Sequence, residues 1–376
     1  MQYRDFGKTG IQVSTFGFGC MRLPMTGEKI DEAEAIAMIR YAAENGVNYF
    51  DTAYPYHAGK SELVLGKALT GGYREKIQLA TKLPSWYVHS KEDLDRFLDE
   101  QLQKLQTDHI DFYLLHALDS SLWPKLRDLG VREFLDAAKK SGRIRHAGFS
   151  FHDELPVFKE IIDAYDWNMC QIQLNFMDVH YQAGMEGLEY AAARGIPAVI
   201  MEPLRGGNLA RNVPEDARRI WEEGQASSSP AEWAFRWLGN IPQVKVVLSG
   251  VSTMEQLKDT IRIFEGALPH SLSAAALERY DRVKEIYERR LKVGCTACHY
   301  CMPCPSGVNI PDVFRLYNDT SLFGSINSSK FIYTQLKKSG SDASVCVECA
   351  SCESACPQHI DIIQKLKDAH AVLSGK

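Results

Sequence analysis

The sequence lacks several features that would assign it to common classes of protein. Its 376 residues carry a formal charge of only −5, and lysine and arginine are scattered, so binding to a phosphate backbone is not expected. No stretch reaches the roughly 18 uninterrupted apolar residues of a membrane span, and no basic region followed by an apolar run opens the chain. We therefore expect neither nucleic acid nor membrane as a partner, and a cytoplasmic location.

Cysteine is scarce outside one segment of the chain. Of the ten cysteines, Cys20 and Cys170 lie apart, and the other eight lie between Cys295 and Cys356. A disulfide scaffold distributes its cysteines through a short secreted chain, whereas clustered Cys-x-x-Cys units in a large protein indicate metal binding. The C-terminal segment is therefore predicted to hold metal.

The composition is that of a folded globular protein, with 45% apolar and 24% charged residues. A chain of this length exceeds one ordinary core, so one large domain and one smaller domain are expected. At Gly294 the pattern of the sequence changes, because cysteines and prolines become frequent. We predict a large domain over residues 1–270, a bridging helix within 271–293 and a smaller domain over 294–376.

The large domain opens with a predicted β-hairpin over residues 2–15 and continues with a repeated strand–helix pattern. The predicted strands are 16–21, 48–52, 77–82, 110–116, 144–150, 169–175, 196–202 and 244–251, and the helices between them are 31–45, 60–70, 90–106, 131–141, 153–165, 184–194, 230–239 and 254–265. Near-continuous apolar strands are typical of parallel sheets buried on both faces. Eight units over about 250 residues predict a closed (β/α)₈, or TIM, barrel.

An open doubly wound sheet is the alternative architecture. It would carry a Gly-x-Gly-x-x-Gly turn after an early strand. Gly17 and Gly19 supply the first two glycines of that turn, but the third is absent. The spacing of the elements therefore favours the barrel.

Polar side chains end three consecutive predicted strands of the barrel. Asp51 ends the second strand, Lys82 the third and His116 the fourth, while Tyr56 follows the second strand beyond Pro55. The carboxyl ends of barrel strands converge on the active site, so these side chains are expected to face one pocket. A buried aspartate or lysine without a partner is costly, so we expect Asp51 and Lys82 to pair.

These four side chains suit one kind of chemistry. Lys82 is expected to lower the pKa of the Tyr56 phenol, which is ordinarily about 10. Asp51 would keep Lys82 charged, and His116 would orient a carbonyl oxygen that Tyr56 protonates. The set has no nucleophile with an adjacent base, so it fits proton delivery to an oxygen while hydride reaches the carbon better than it fits acyl transfer.

Residues 1 to about 290 resemble the aldo-keto reductase family, whose Asp-Tyr-Lys-His tetrad these four residues match. Other shared pieces are Phe50-Asp51-Thr52-Ala53, Ser61-Glu62-x-x-Leu65-Gly66, Asp111 to His116, Gly148-Phe149-Ser150, Gln171 with Asn175, and Pro203-Leu204-x-Gly206-Gly207. The resemblance implies a NADP or NAD cofactor. It places Ser150 and Gln171 at the nicotinamide carboxamide, Leu204 and Gly206 near the pyrophosphate, and Ser252 to Gln256 by the adenosine.

The departures from the family pattern fall on the cofactor side. Ser150 is followed by Phe151 where the family usually has asparagine, and Met201 and Glu202 stand where an aromatic ring usually stacks on the nicotinamide. The cations that grip a 2′-phosphate are missing around Ser252. Because charge-assisted hydrogen bonds are roughly twice as strong as neutral ones, we expect weak discrimination between NADH and NADPH.

The C-terminal cysteines form two runs of four. Cys295, Cys298, Cys301 and Cys304 are spaced by two residues, and so are Cys346, Cys349 and Cys352, with Cys356 and a proline following. The second run matches the ferredoxin spacing, which predicts [4Fe–4S] clusters. Structural zinc, the alternative, generally uses paired Cys-x-x-Cys units and needs no third cysteine in series.

The smaller domain resembles a dicluster ferredoxin. That resemblance assigns Cys295, Cys298, Cys301 and Cys356 to one cluster and Cys346, Cys349, Cys352 and Cys304 to the other. Only two residues precede Cys304, where the ferredoxin spacing has three, so a form with a single cluster stays open. Helical patterns at 310–317 and 330–336 predict a mainly helical domain.

The leading hypothesis is an oxidoreductase that reduces a small carbonyl compound, or oxidises an alcohol, and carries two clusters for electron transfer. One alternative is an electron-transfer or redox-sensing protein whose barrel binds a dinucleotide or flavin without turnover; another is a reductase with purely structural clusters. Nicotinamide gives two electrons as hydride and each cluster passes one. A flavin is therefore a possible intermediary, and a ferredoxin-like protein a possible electron partner.

Overall fold

The structure is a computed structural model that describes residues 1–211, 213–224, 228–295, 300–324, 326–356 and 358–375. The chain forms two compact units. The first comprises Met1–Arg205 and Glu232–Ser273, and the second comprises Gly206–Ala231 and Ala274–Lys376. Within the described residues, no helix is both long enough and apolar enough to cross a membrane.

The first unit contains twelve strands. They are β1 Tyr3–Asp5, β2 Gln12–Ser14, β3 Phe16–Gly19, β4 Met25–Thr26, β5 Lys29–Ile30, β6 Tyr49–Asp51, β7 Gln78–Leu83, β8 Ile110–Leu118, β9 Ile144–Phe151, β10 Met169–Gln173, β11 Ala198–Met201 and β12 Val244–Ser249. Strands β1 and β2 form the predicted N-terminal hairpin, and β4 pairs with β5 in a second, unpredicted one. The other eight strands close into a barrel in chain order, with β12 beside β3.

Every pairing within the barrel is parallel, which confirms the predicted (β/α)₈ architecture. The helices of the first unit are α1 Glu32–Glu44, α2 Ser61–Ala68, α3 Glu92–Leu105, α4 Leu122–Asp128, α5 Val131–Lys140, α6 Leu155–Asp163, α7 Gly184–Ala193, α10 Pro230–Gly239 and α11 Met254–Gly266. Eight of them follow the eight barrel strands, and α4 is an addition after β8.

The hairpin closes the barrel at the end where the strands begin. Phe6 is fully buried and packs edge-on against Phe112, with ring centroids 5.0 Å apart. It shares a core cluster with Tyr49 and Met169, the first residues of β6 and β10. Burial of apolar surface at this end leaves the opposite end, where the strands finish, for polar side chains.

The described part of the second unit consists of helices and loops, as predicted. Its helices are α8 Asn208–Arg211, α9 Glu215–Glu222, α12 Ala274–Glu288, α13 Ile310–Leu322, α14 Ile326–Lys338, α15 Ser351–Ala355 and α16 Ile362–Leu373. Phe314 of α13 and Leu366 of α16 belong to a buried core that also includes Cys352. Helix α12 lies within residues 271–293 and belongs to the second unit, where its Tyr280 packs against Trp221 of α9 at 4.9 Å between ring centroids.

Candidate active site and cysteine sites

The structure brings the four predicted catalytic residues together. Asp51 is the last residue of β6, Lys82 lies near the end of β7, and His116 lies near the end of β8. These strands are neighbours in the barrel. Tyr56 follows β6 in a loop that turns back toward Lys82.

Asp51 and Lys82 form a buried ion pair, with Lys82 Nζ 2.6 Å from Asp51 Oδ1. Lys82 Nζ also donates to the Thr52 carbonyl at 2.7 Å and to Tyr56 Oη at 3.4 Å. Burial lowers the pKa of Lys82, but Asp51 and Tyr56 together raise it above the usual value. The amine is therefore charged, and each of its three hydrogens has an acceptor.

The phenol of Tyr56 is half-buried and lies beside the ammonium group of Lys82. Burial raises the pKa of Tyr56 above its usual 10, and this effect exceeds the lowering by Lys82. The expected net lowering is therefore not found in this structure. Because Tyr56 Oη accepts a hydrogen bond from Lys82, its own hydrogen remains available for an acceptor in the pocket.

His116 is largely buried, and its ring lies edge-on to the Tyr56 ring at 6.0 Å between centroids. Burial and the charge of Lys82 hold the pKa of His116 well below 6.5. The imidazole is therefore neutral at physiological pH and has one N–H to donate. Trp86, from the loop after β7, also packs against the histidine, with ring centroids 4.9 Å apart.

The loop that carries Tyr56 owes its course to three consecutive residues with positive φ. His57 and Ala58 both have φ of 51° and Gly59 has φ of 82°. The chain thereby folds back so that Ser61 N donates to the Tyr56 carbonyl at 3.2 Å. His57 Nε2 accepts from Leu23 N at 3.2 Å, which ties this loop to the loop after β3.

The predicted cofactor residues fall into separate groups. Ser150 and Gln171 are register partners on β9 and β10, and both are buried. Ser150 Oγ accepts from Ala117 N at 2.7 Å, and Gln171 Nε2 lies 3.9 Å from Met201 Sδ. Among the described residues, Gln171 Oε1 has no hydrogen-bond partner. An amide acceptor on this neutral part of the barrel mouth is thus available to a ligand.

Ser252 and Gln256 lie together at the start of α11, where Ser252 N donates to Gln256 Oε1 at 3.0 Å. Leu204 lies in the first unit, and Gly206, whose φ is 67°, lies in the second. The expected approach of Leu204 and Gly206 to the cofactor pyrophosphate remains a prediction.

Arg22 is a residue that the sequence reasoning missed. Its carbonyl accepts from Ser252 Oγ at 2.9 Å, and a Cβ at Gly250 would lie 3.1 Å from the Arg22 side chain. The guanidinium is exposed and makes no hydrogen bond or ion pair within the part of the chain that is described. A cation therefore lies beside the segment that was predicted to lack one.

The second unit gathers cysteines from both runs. Burial raises the pKa of the Cys352 thiol, and the neighbouring Cys304 and Cys346 raise it further. Cys304 and Cys346 therefore lie close enough to Cys352 to act on its thiol. Nine of the ten cysteines lie within the described residues, and Cys298 lies outside them.

The thiols of the second unit can be compared with the ligands that iron–sulfur clusters need. Within the described ranges, no three cysteine, histidine, aspartate or glutamate side chains could hold one ion. A [4Fe–4S] cluster is held by four cysteine thiolates distributed over its irons, so its ligands need not meet at one point. Cys349 is exposed, and hydrogen bonds from Ser351 lower the pKa of its thiol, which favours the thiolate that iron binds.

The closed parallel barrel with polar side chains at its strand ends defines the (β/α)₈-barrel class of protein. Comparison with known proteins identifies the family within that class. The aldo/keto reductase family matches residues 15–282, and a 4Fe-4S dicluster domain matches residues 294–360. The chain therefore belongs to the aldo/keto reductase family and is an oxidoreductase with an iron–sulfur domain. The dicluster domain implies two [4Fe–4S] clusters, and the family implies NAD(P)H.

Individual relatives agree with this assignment. The chain is 35% identical over 327 residues to probable aldo-keto reductase 1 of Glycine max, a match that covers 75% of this chain and 87% of the relative. It is 25% identical over 283 residues to L-galactose dehydrogenase of Arabidopsis thaliana, covering 69% and 87%. The solved structure of aldo-keto reductase AKR11C1 from Bacillus halodurans, in its holo form, matches with a TM-score of 0.64 and 27% identity, covering 75% and 96%. A flavin finds no support in these relationships.

Proposed function

We propose that this protein reduces a small carbonyl compound, or oxidises the corresponding alcohol, with Tyr56 as the proton donor and a nicotinamide cofactor as the hydride donor. One observation carries the proposal. The Lys82 ammonium is held between the Asp51 carboxylate at 2.6 Å and the Tyr56 hydroxyl at 3.4 Å, inside a barrel mouth formed by β6, β7 and β8. This arrangement supports proton transfer from a phenol better than nucleophilic or hydrolytic chemistry.

The proposed step has a simple proton balance. A bound nicotinamide would supply hydride to the carbonyl carbon. As negative charge develops on the carbonyl oxygen, Tyr56 gives it the phenolic proton, and Lys82 stabilises the phenolate that remains. Neutral His116 donates its N–H to the same oxygen and so orients the substrate. Tyr56 regains its proton from water, and the raised pKa of the phenol keeps it protonated before the next turnover.

The cofactor would lie across the strand ends on the other side of the barrel mouth. In the proposed arrangement, Ser150 and Gln171 bind the nicotinamide carboxamide, for which the unpartnered Gln171 Oε1 offers an acceptor. Leu204 and Gly206 approach the pyrophosphate, and Ser252 with Gln256 lies by the adenosine. Both NADP and NAD are compatible with these side chains.

The proposed domains are a large domain over residues 1–270, a bridging segment over 271–293 and a C-terminal domain over 294–376. The C-terminal domain would hold two clusters. Cys295, Cys298, Cys301 and Cys356 would ligate one cluster, and Cys304, Cys346, Cys349 and Cys352 the other. The proximity of Cys304 and Cys346 to Cys352 supports the second set. Such clusters carry single electrons, so a small ferredoxin-like protein is the proposed electron partner.

The test compares two tyrosines of the same loop. Tyr56→Phe removes the proton donor and should lower kcat for carbonyl reduction by about 10²- to 10⁴-fold, the usual contribution of a general acid, with nucleotide affinity unchanged. Tyr54→Phe is the control, because Tyr54 Oη donates at 3.0 Å to Glu100, which is not one of the four tetrad residues. Near-native turnover of Tyr56→Phe would contradict the proposal. Nucleotide binding by the wild type without turnover of any carbonyl in a broad panel would favour a sensor.

A further inference from the structure

Two buried residues outside the tetrad make hydrogen bonds to the segments that carry it. We propose that Ser61 and Glu62, the first two residues of α2, are positioning residues that hold Tyr56 and Lys82 in the geometry for proton transfer. This inference rests on the proposed function of Tyr56 as proton donor. Both side chains are fully buried. Their described bonds do not reach the reacting groups, so their role is to place those groups.

Ser61 joins the ends of two barrel strands to the Tyr56 loop. Its backbone N–H donates to the Tyr56 carbonyl at 3.2 Å, and its hydroxyl donates to the Cys20 carbonyl at 3.0 Å. The Ser61 hydroxyl also lies 2.9 Å from Thr52 Oγ1, which can donate to it. The Thr52 carbonyl in turn accepts from Lys82 Nζ at 2.7 Å. One serine therefore connects the backbone of the phenol to the carbonyl that holds the ammonium.

Glu62 holds the end of β7 through a second set of bonds. Its Oε1 accepts from Thr81 Oγ1 at 2.7 Å and from Gln101 Nε2 at 2.6 Å. Gln101 Nε2 also donates to the Lys82 carbonyl at 3.0 Å, and Gln101 Oε1 accepts from Tyr113 Oη at 2.9 Å. The peptide that carries Lys82 is thereby fixed from outside the barrel wall.

A glycine makes this network possible. A Cβ at Gly66 would lie 2.5 Å from the Lys104 carbonyl, so α2 and α3 approach closely only because no side chain is present there. The close approach lets Gln101 reach Glu62, and it places Lys104 Nζ 3.5 Å from Glu62 Oε2. A fully buried carboxylate is costly unless it is paired and hydrogen-bonded. The Glu62 carboxylate has an ion-pair partner in Lys104 and hydrogen-bond donors in Thr81 and Gln101.

The geometry of the tetrad is sensitive to small movements. Lys82 Nζ and Tyr56 Oη are 3.4 Å apart, close to the limit of a hydrogen bond, so a displacement of either segment would break the contact. A misplacement of about 1 Å can cost on the order of 100-fold in rate. Loss of the Ser61 hydroxyl should therefore slow catalysis beyond any effect on folding.

The chain provides a matched control at the other end of the barrel. Ser14 is also fully buried, donates to the Phe16 carbonyl at 2.7 Å and accepts from Asn48 N at 3.0 Å. Ser14→Ala and Ser61→Ala each remove one buried hydroxyl with two hydrogen bonds. We expect similar falls in Tm for both variants. We expect kcat to fall about 5- to 20-fold only in Ser61→Ala, with KM and nucleotide Kd within about twofold of wild type.

A spectroscopic measurement separates this inference from the proposed function. With tyrosine labelled at Cζ with carbon-13, the Tyr56 resonance is assigned by its loss in Tyr56→Phe. The resonance should shift or broaden in Ser61→Ala and stay unchanged in Ser14→Ala, whether or not the wild type turns over. If it shifts while the wild type has no reductase activity, the positioning role stands and the proposed function fails.

Two results would overturn the positioning role itself. The first is a Tyr56 resonance and a kcat in Ser61→Ala that equal those of the wild type. The second is a change of the resonance and of kcat in Ser14→Ala that is as large as the change in Ser61→Ala. If Ser61→Ala does not fold, Gln101→Met provides the same comparison, because it removes the donor to the Lys82 carbonyl. Gln101→Met should then show the same fall in kcat and the same change in the Tyr56 resonance, and a wild-type result for both would overturn the proposal.

Discussion

In the barrel, Asp51, Lys82 and Tyr56 are joined by hydrogen bonds within the protein, whereas the cysteines of the second unit belong to a domain that matches the 4Fe-4S dicluster family. The ion pair at 2.6 Å is complete in the protein alone. Among the cysteines, Cys349 bonds to Ser351, and Cys304 and Cys346 lie near Cys352. Thiolates that lie close together repel one another until a metal neutralises them, so metal binding and local folding are coupled.

The barrel site and the cysteine region should therefore respond to different changes. A site assembled from buried protein contacts fails when one partner of a pair is removed. A site assembled around metal fails when the metal is removed, and the barrel should tolerate that loss.

The largest effect is expected from Lys82→Met. The change leaves Asp51 buried without its partner, which costs about 3–5 kcal/mol of stability, and it removes the cation that stabilises the phenolate, so kcat should fall at least about 10³-fold. Thermal unfolding and carbonyl reduction measure the two effects, and the visible absorbance of the clusters should stay unchanged.

The double variant Asp51→Val with Lys82→Met separates stability from catalysis. Replacing both members of a buried ion pair by apolar residues is often neutral for stability. The double variant should therefore regain most of the lost stability and none of the lost activity. A single variant as stable as the wild type would show that the pair is not the desolvated contact described here.

The second prediction concerns the metal region. Protein prepared without oxygen should contain about eight irons and eight acid-labile sulfides, from two cubic clusters. Cys352→Ser removes a buried thiol and should reduce iron to about half, with carbonyl reductase kcat within about twofold of wild type. Cys170→Ser, at a buried cysteine of β10, is the control that should keep all the iron. Four irons in the wild type would indicate one cluster, and zinc in their place would exclude clusters.

Much of the fold followed from the sequence because strand and helix periods are local signals. The proximity of Asp51, Lys82 and His116 could also be predicted, since strand ends in a closed barrel converge and the spacing of these residues matches the strand repeat. The direction in which the Tyr56 pKa shifts could not be predicted from the sequence, because it depends on how deeply the folded protein buries the phenol.

Contacts between segments that are distant along the chain also could not be predicted from the sequence. Gln101 of α3 reaches Glu62 of α2 because the two helices pack closely at Gly66. Arg22 meets Ser252 only because β12 closes onto β3. No spacing rule links such residues before the barrel is built.

The third prediction uses the protonation state of His116. Its pKa in the folded protein lies well below 6.5, so the imidazole is neutral between pH 6 and 8, and kcat/KM should vary less than about twofold there. As the pH falls below 6.5, the unfolded chain takes up a proton that the folded site refuses. Stability from this group is then lost, by up to about 1.4 kcal/mol for each pH unit until the folded pKa is reached.

A pH–activity profile and urea unfolding check the two parts of this prediction. His116→Gln should remove the stability loss at low pH that belongs to this group. An acid limb of kcat/KM near pH 6.5 that disappears in His116→Gln would show a hydrated, protonated histidine, and the barrel site would then be less enclosed than the structure indicates.

The smallest effect is expected at Arg22, whose guanidinium makes no hydrogen bond or ion pair within the described residues. Its guanidinium is exposed beside Ser252, so it can meet a 2′-phosphate only through a solvent-screened contact. Exposed ion pairs contribute about 0.2–1 kcal/mol, which corresponds to at most about fivefold in affinity. Arg22→Ala should weaken NADPH binding by about two- to fivefold and NADH binding by less than twofold, and wild-type preference between them should stay small. Lys258→Ala is the control, because Lys258 lies over the Tyr41 ring farther along α11. Fluorescence titration of both nucleotides measures the change. A hundredfold preference for NADPH that survives in Arg22→Ala would show that another cation binds the phosphate.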